Sequence, residues 1–167
     1  MNIYLSSSWK QRDRVRALAI RLRKDGHEVY DFTDPACRDT PEIPPERYPE
    51  QFDPAKHIYE EYLRSAPWDL GVNCNRRALL RCDLVVLLLP CGNDANADWA
   101  FAVGAGKRSV VCGSPVKGER TPTHLWADQF VRDEDELFVW LYALGSATTV
   151  CGPGSAQQKI RDLLLAT

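Results

Sequence analysis

The sequence predicts an α/β domain, a doubly wound parallel sheet of about five strands, and three observations predict it. Residues 2–32 run strand-like, helix-like, strand-like, and a β–α–β unit in about 30 residues implies a parallel pair. Leu84–Leu89 is an unbroken aliphatic run of six residues, the length of a strand buried on both faces. From there to residue 144 helix-like and strand-like segments alternate.

The elements follow in order. Asn2–Ser6 reads as the first strand. Lys10–Lys24 reads as a helix, because Val15, Leu18, Ala19 and Leu22 share one apolar stripe, and Asp25-Gly26 ends it. His27–Phe32 is the second strand. Residues 33–70 form a Pro-rich insertion with seven prolines, nine acidic and four basic residues, and the prolines exclude a central strand or long helix over 35–54. Its aromatics, Phe52, Tyr59, Tyr62 and Trp68, favour an ordered, packed flap over a decorative loop. Gly71–Cys82 reads as a helix, Leu84–Leu89 as a strand, Asp94–Ala105 as a helix of small residues closed by Gly106, and Arg108–Cys112 as a strand. Ala127–Val131 is a short fifth strand, and Asp133 caps a helix over Glu134–Leu144. A last amphipathic helix, about Ser155–Leu165, lies in a C-terminal extension, 146–167. The whole reads as a single domain, 1–167.

Composition narrows the function classes. The chain of 167 residues is 44% hydrophobic and 26% charged, an ordinary globular balance. A net charge of −2 argues against nucleic acid as a bulk electrostatic partner. The strongly basic first helix reads as a solvated face. No basic segment followed by a long apolar stretch begins the chain, and no run approaches the about 20 apolar residues of a membrane span. A soluble, cytoplasmic protein with no membrane partner is expected. The six cysteines (37, 74, 82, 91, 112 and 151) form no CxxC pair and read as free thiols, with Cys82 and Cys112 buried. His27, His57 and His124 lack zinc-ligand spacing, so no metal and no cofactor are expected.

Open parallel sheets bind ligands beyond the carboxyl ends of their strands. That places the candidate site on Ser6–Trp9, Asp31–Asp34 and Pro90–Asp98. The hydroxyls of Ser6, Ser7 and Ser8 at a helix start suit a phosphate or sugar hydroxyls, while Ser8 reads equally as a helix cap. There is no GxGxxG. Asp94 and Asp98, four residues apart, share one helix face and suit nucleophilic or acid–base work; the alternative is a capping Asp94 and a solvated first-turn Asp98. Trp9 and Trp99 flank the site, and one of them is expected to stack on a ligand ring.

The stretch from Asn75 through Asp83 and the aliphatic strand to Pro90, followed by Asn96-Ala-Asp98-Trp-Ala-Phe-Ala-Val-Gly-Ala-Gly106-Lys107, resembles the nucleoside 2-deoxyribosyltransferase-like family. That family shows a helix ending in Asp, an aliphatic strand, a variable loop, and a helix with a glutamate nine residues before the lysine of a Gly-Lys pair. Asp98 stands nine before Lys107. Ile3-Tyr4-Leu5 and Phe130–Leu141 also look like the family's first strand and last core helix. The resemblance implies a flavodoxin-like fold, a small-molecule nucleoside or nucleotide as ligand, and a homo-oligomer. It also implies catalysis by Asp98 and Asp94, in which a carboxylate attacks C1′ to form a glycosyl-enzyme, as in retaining glycosidases. Ser6, Ser7, Ser8, Trp9, Asn75, Asn96 and Trp99 are then the substrate-binding candidates. Two positions depart from the family: Asp98 replaces its glutamate, and Asn75 replaces its base-contacting aspartate. The alternative function is a nucleotide-binding or sensing module of the same fold.

Overall fold

A computed structural model of the protein describes residues 1–37, 52–65 and 68–148. The chain divides into two compact units, Met1–Val131 and Arg132–Thr167. The first contains a five-stranded sheet in the order β2-β1-β3-β4-β5. Its strands are β1 (Asn2–Ser6), β2 (Glu28–Asp31), β3 (Leu84–Leu88), β4 (Arg108–Cys112) and β5 (Gln129–Val131). Every pairing is parallel. This is the flavodoxin-like order of a doubly wound sheet, as expected, and its switch point lies between β1 and β3.

The helices of this unit are α1 (Arg12–Lys24), α2 (Tyr59–Ser65), α3 (Trp68–Arg81) and α4 (Asn93–Gly104). α1 buries Val15, Leu18, Ala19 and Leu22, the stripe that the periodicity marks. It begins two residues later than expected, because Trp9–Gln11 winds a 3₁₀ turn whose Ser8 cap accepts from the Lys10 N–H. β3 is buried at all five positions. Burial of such a side chain stabilises the fold by roughly 1.5–3 kcal/mol. One face of the sheet packs Tyr4, Val85, Leu87 and Val111 with Leu79, Ala95, Trp99 and Ala102 of α3 and α4.

α3 starts three residues before the expected Gly71. The insertion holds α2, a seven-residue helix that its sequence does not announce. Phe52, His57, Tyr59 and Tyr62 cluster there with ring centroids 5.3–6.0 Å apart. The strand expected over Ala127–Val131 is the shorter β5, since Ala127 closes a 3₁₀ turn, Pro122–Trp126. In the second unit α5 (Glu134–Thr148) begins as expected, with the Asp133 carboxylate accepting from the Glu136 N–H at 2.9 Å. The expected helix at Ser155–Leu165, Cys151 and most of the Pro-rich stretch lie outside the described residues.

Gly113 ends β4 at φ +96°, and a Cβ there would stand 2.9 Å from the Leu89 carbonyl oxygen. Backbone, not a mobile side chain, blocks it. Gly113→Ala is therefore expected to destabilise the protein by about 1–3 kcal/mol, read as a lower denaturation midpoint with unchanged m-value.

Candidate active site

The residues that converge at the switch point come from four elements. Asp98 lies on α4, about a turn and a half from its start. Its Oδ2 accepts from Tyr4 Oη of β1 at 2.7 Å and from Asn75 Nδ2 of α3 at 3.3 Å. Tyr30 Oη of β2 donates in turn to Asn75 Oδ1 at 2.9 Å. Tyr4 and Tyr30 are register partners in the β1–β2 pair, and their rings stack at 5.1 Å and 12°. Both hydrogen bonds to Asp98 fall on one oxygen. Among the described residues no donor reaches Oδ1.

Burial raises the Asp98 carboxyl above the ordinary carboxylate range; Asp94 adds to this, while the bonds from Tyr4 and Asn75 oppose it. Burial, reinforced by Asp98, pushes the Tyr4 hydroxyl far above the ordinary phenol range, so Tyr4 stays a donor. Asp94 is exposed in the first turn of α4, where the N-cap is Gly92 and no side chain caps. Of the two aspartates that spacing placed on one face, Asp98 is therefore the one built into a network.

The serine loop is fastened to the same region. Ser6 Oγ donates to the Ala95 carbonyl at 2.9 Å, and Ser7 Oγ donates to the Leu88 carbonyl at 3.0 Å. Arg14 Nη1 donates to the Leu89 carbonyl at 2.5 Å from α1. These three bonds hold the end of β3 and the start of α4 against the β1–α1 loop. Ser8 accepts from Lys10 and so takes the capping role weighed from sequence. Trp9 is 55% exposed, with its ring edge-on to Phe32 at 5.3 Å. Trp99 is 1% exposed and belongs to the core, so Trp9 is the one of the two that offers its ring to solvent.

Asn96 points to another neighbourhood. Its Nδ2 donates to the Gly92 carbonyl at 3.1 Å, and its Oδ1 meets His124 Nε2 at 2.7 Å. With the amide nitrogen so engaged, His124 Nε2 is the donor. Burial lowers the His124 pKa, which keeps the ring neutral. On the second loop, Asp31 is buried and accepts from the Thr33 N–H and hydroxyl at 2.8 and 2.7 Å, closing the turn after β2. Asp83 accepts from the Asn2 N–H at 2.8 Å and Lys107 donates to the Leu80 carbonyl at 2.7 Å. Lys107 thus ties α3 to the start of β4, and Asp83 ties the α3–β3 turn to β1.

Tyr4 and Tyr30 escape the sequence reading. The signal for them is a tyrosine within each of two adjacent strands, since a buried phenol needs a hydrogen-bond partner. Cys37, Cys74, Cys82, Cys91 and Cys112 are in no disulfide, with Cys82 and Cys112 buried as expected. Burial, then Glu119, pushes the Cys91 thiol up to about 11. Little thiolate exists there at neutral pH, so Cys91 is a slow reporter of ligand. Among the described residues no helix is long and apolar enough to cross a membrane, and no group of three or more His, Cys, Asp or Glu could hold a metal ion.

No protein-family model and no curated protein matches the chain. A solved structure, a CMP N-glycosidase from Clostridium botulinum, is similar over 83% of this chain and 96% of that one, at 15% identity and a TM-score of 0.46.

Proposed function

We propose that the protein cleaves the N-glycosidic bond of a nucleoside or nucleotide, with Asp98 as nucleophile. The observation that carries this reading is the asymmetric hold on Asp98. Tyr4 and Asn75 fix Oδ2, and among the described residues no donor reaches Oδ1, on a helix that starts at the carboxyl end of β3, where such folds take ligands. In the proposed step, Oδ1 attacks C1′ as the C1′–N bond breaks. The bonding pair leaves with the base, which takes up a proton. Asp94, one helical turn before Asp98, would assist that protonation. Water or an acceptor base then displaces Asp98 from C1′ and frees the sugar. The loop after β1, with Ser8 and the exposed Trp9, would seat the phosphate or sugar and stack on the base, while Ser6 and Ser7 fasten it through the Ala95 and Leu88 carbonyls.

A second reading, a binding or sensing module that has lost the chemistry, is favoured by Asp98 being one methylene shorter than the glutamate of the resembled family. Incubation with nucleosides and 5′-monophosphates, followed by chromatography, separates the two. Release of free base from at least one compound is the result expected of the enzyme. Thermal stabilisation by these compounds without base release is the result expected of the module.

A further inference from the structure

We infer that Tyr30 is a positioning residue, which fixes the orientation of the Asn75 side-chain amide and through it aims Asp98. This rests on the proposed role of Asp98.

Asn75 carries two unlike ends, an acceptor oxygen and a donor nitrogen, and only one arrangement suits an ionised Asp98. The nitrogen must face the carboxylate, since the oxygen would set two acceptors against each other. The side chain sits on α3 and is half-buried. The carboxylate selects the nitrogen, and the Tyr30 hydroxyl anchors the end of the amide that Asp98 does not take. Tyr30 Oη donates to Asn75 Oδ1 at 2.9 Å, with Nδ2 toward Asp98 Oδ2 at 3.3 Å. Tyr30 is itself placed by the sheet, through its register with Tyr4 and the stacked rings 5.1 Å apart. Both tyrosines of the pair thus serve one carboxylate oxygen, Tyr4 directly and Tyr30 through Asn75. The titratable groups facing Asp98 are Tyr4 on β1 and Asp94 on its own helix, with Cys82 bearing on Tyr4.

The test is a carboxyl-carbon NMR titration of Asp98 in the full chain, run beside the pH profile of base release. Tyr30→Phe keeps the ring stacked on Tyr4 and removes only the hydroxyl. It is expected to move the Asp98 titration upward by about one pH unit, because the donated bond from Asn75 becomes disordered. Asn75→Ala is expected to move it equally, and the double variant no further than either one, as residues acting in one chain do. Asn75→Ala also gives the readout of the lost donor should Tyr30→Phe fold poorly. An Asp98 titration unchanged in Tyr30→Phe, or shifts that add in the double variant, would overturn the inference. The titration needs no turnover, so a protein that releases no base would count against the enzymatic reading while leaving this one to be decided.

Discussion

Asp98→Asn is expected to abolish base release, by about 10³-fold or more, while the protein folds normally and still binds its ligand. The amide is nearly isosteric with the carboxylate. Its oxygen can accept from Tyr4 and Asn75 as Oδ2 does now, so the network survives and only the nucleophile is lost. The same substitution has a second, independent signature in stability. The native environment raises the Asp98 carboxyl above its unfolded value, chiefly by burial. A raised carboxyl favours the native state at low pH, and that contribution is lost as pH rises through the native value. Asp98→Asn removes the group from titration. It is therefore expected to melt higher than the wild type at neutral pH, with the margin closing below about pH 4, where the carboxyl is protonated in both states. A variant melting no higher at neutral pH than at pH 3, relative to wild type, contradicts the burial assigned to Asp98. In the wild-type enzyme, the acid limb of kcat/KM is expected above the ordinary carboxylate range for the same reason.

Asp98→Glu separates the two functional readings by opposite signs. If the site is fitted to aspartate, an added methylene drives the carboxylate past the position set by Tyr4 and Asn75. A misplacement of about 1 Å is expected to lower kcat by about 10²-fold. If the shorter side chain instead marks a site that has lost its chemistry, the longer one brings the carboxylate back toward C1′, and base release appears or rises. The assay is the same chromatographic one, and both outcomes are informative because Asp98 is half-buried rather than packed in the core.

The parts of this fold that a periodic pattern defines are legible in the chain. The α1 stripe and the aliphatic β3 are buried as their spacing and composition require. α2 is not legible, because Tyr59–Ser65 is short, charged and follows a run of prolines, with no apolar stripe to mark it. The spacing of Asp94 and Asp98 put them on one face but could not rank them. Only the approach of β1 and α3 does so, by giving Asp98 two donors and leaving Asp94 in solvent. Tyr4 and Tyr30 were hidden for a related reason. What a strand tyrosine reaches depends on register and on the helix laid across it, and neither is written in the strand itself. Trp99 and Asn96 show the converse. Proximity in sequence to Asp98 does not keep them beside it, since successive helical residues turn about 100° apart; Trp99 enters the core and Asn96 meets His124.

The most direct test of Asp98 as nucleophile is peptide mass spectrometry after rapid acid quench of the protein with whichever nucleoside or nucleotide it consumes. Attack by Asp98 requires a sugar adduct, free of base, on the peptide that contains Asp98 and absent from Asp98→Asn. Base release at full rate by Asp98→Asn, or a sugar adduct carried by a different residue, would contradict it.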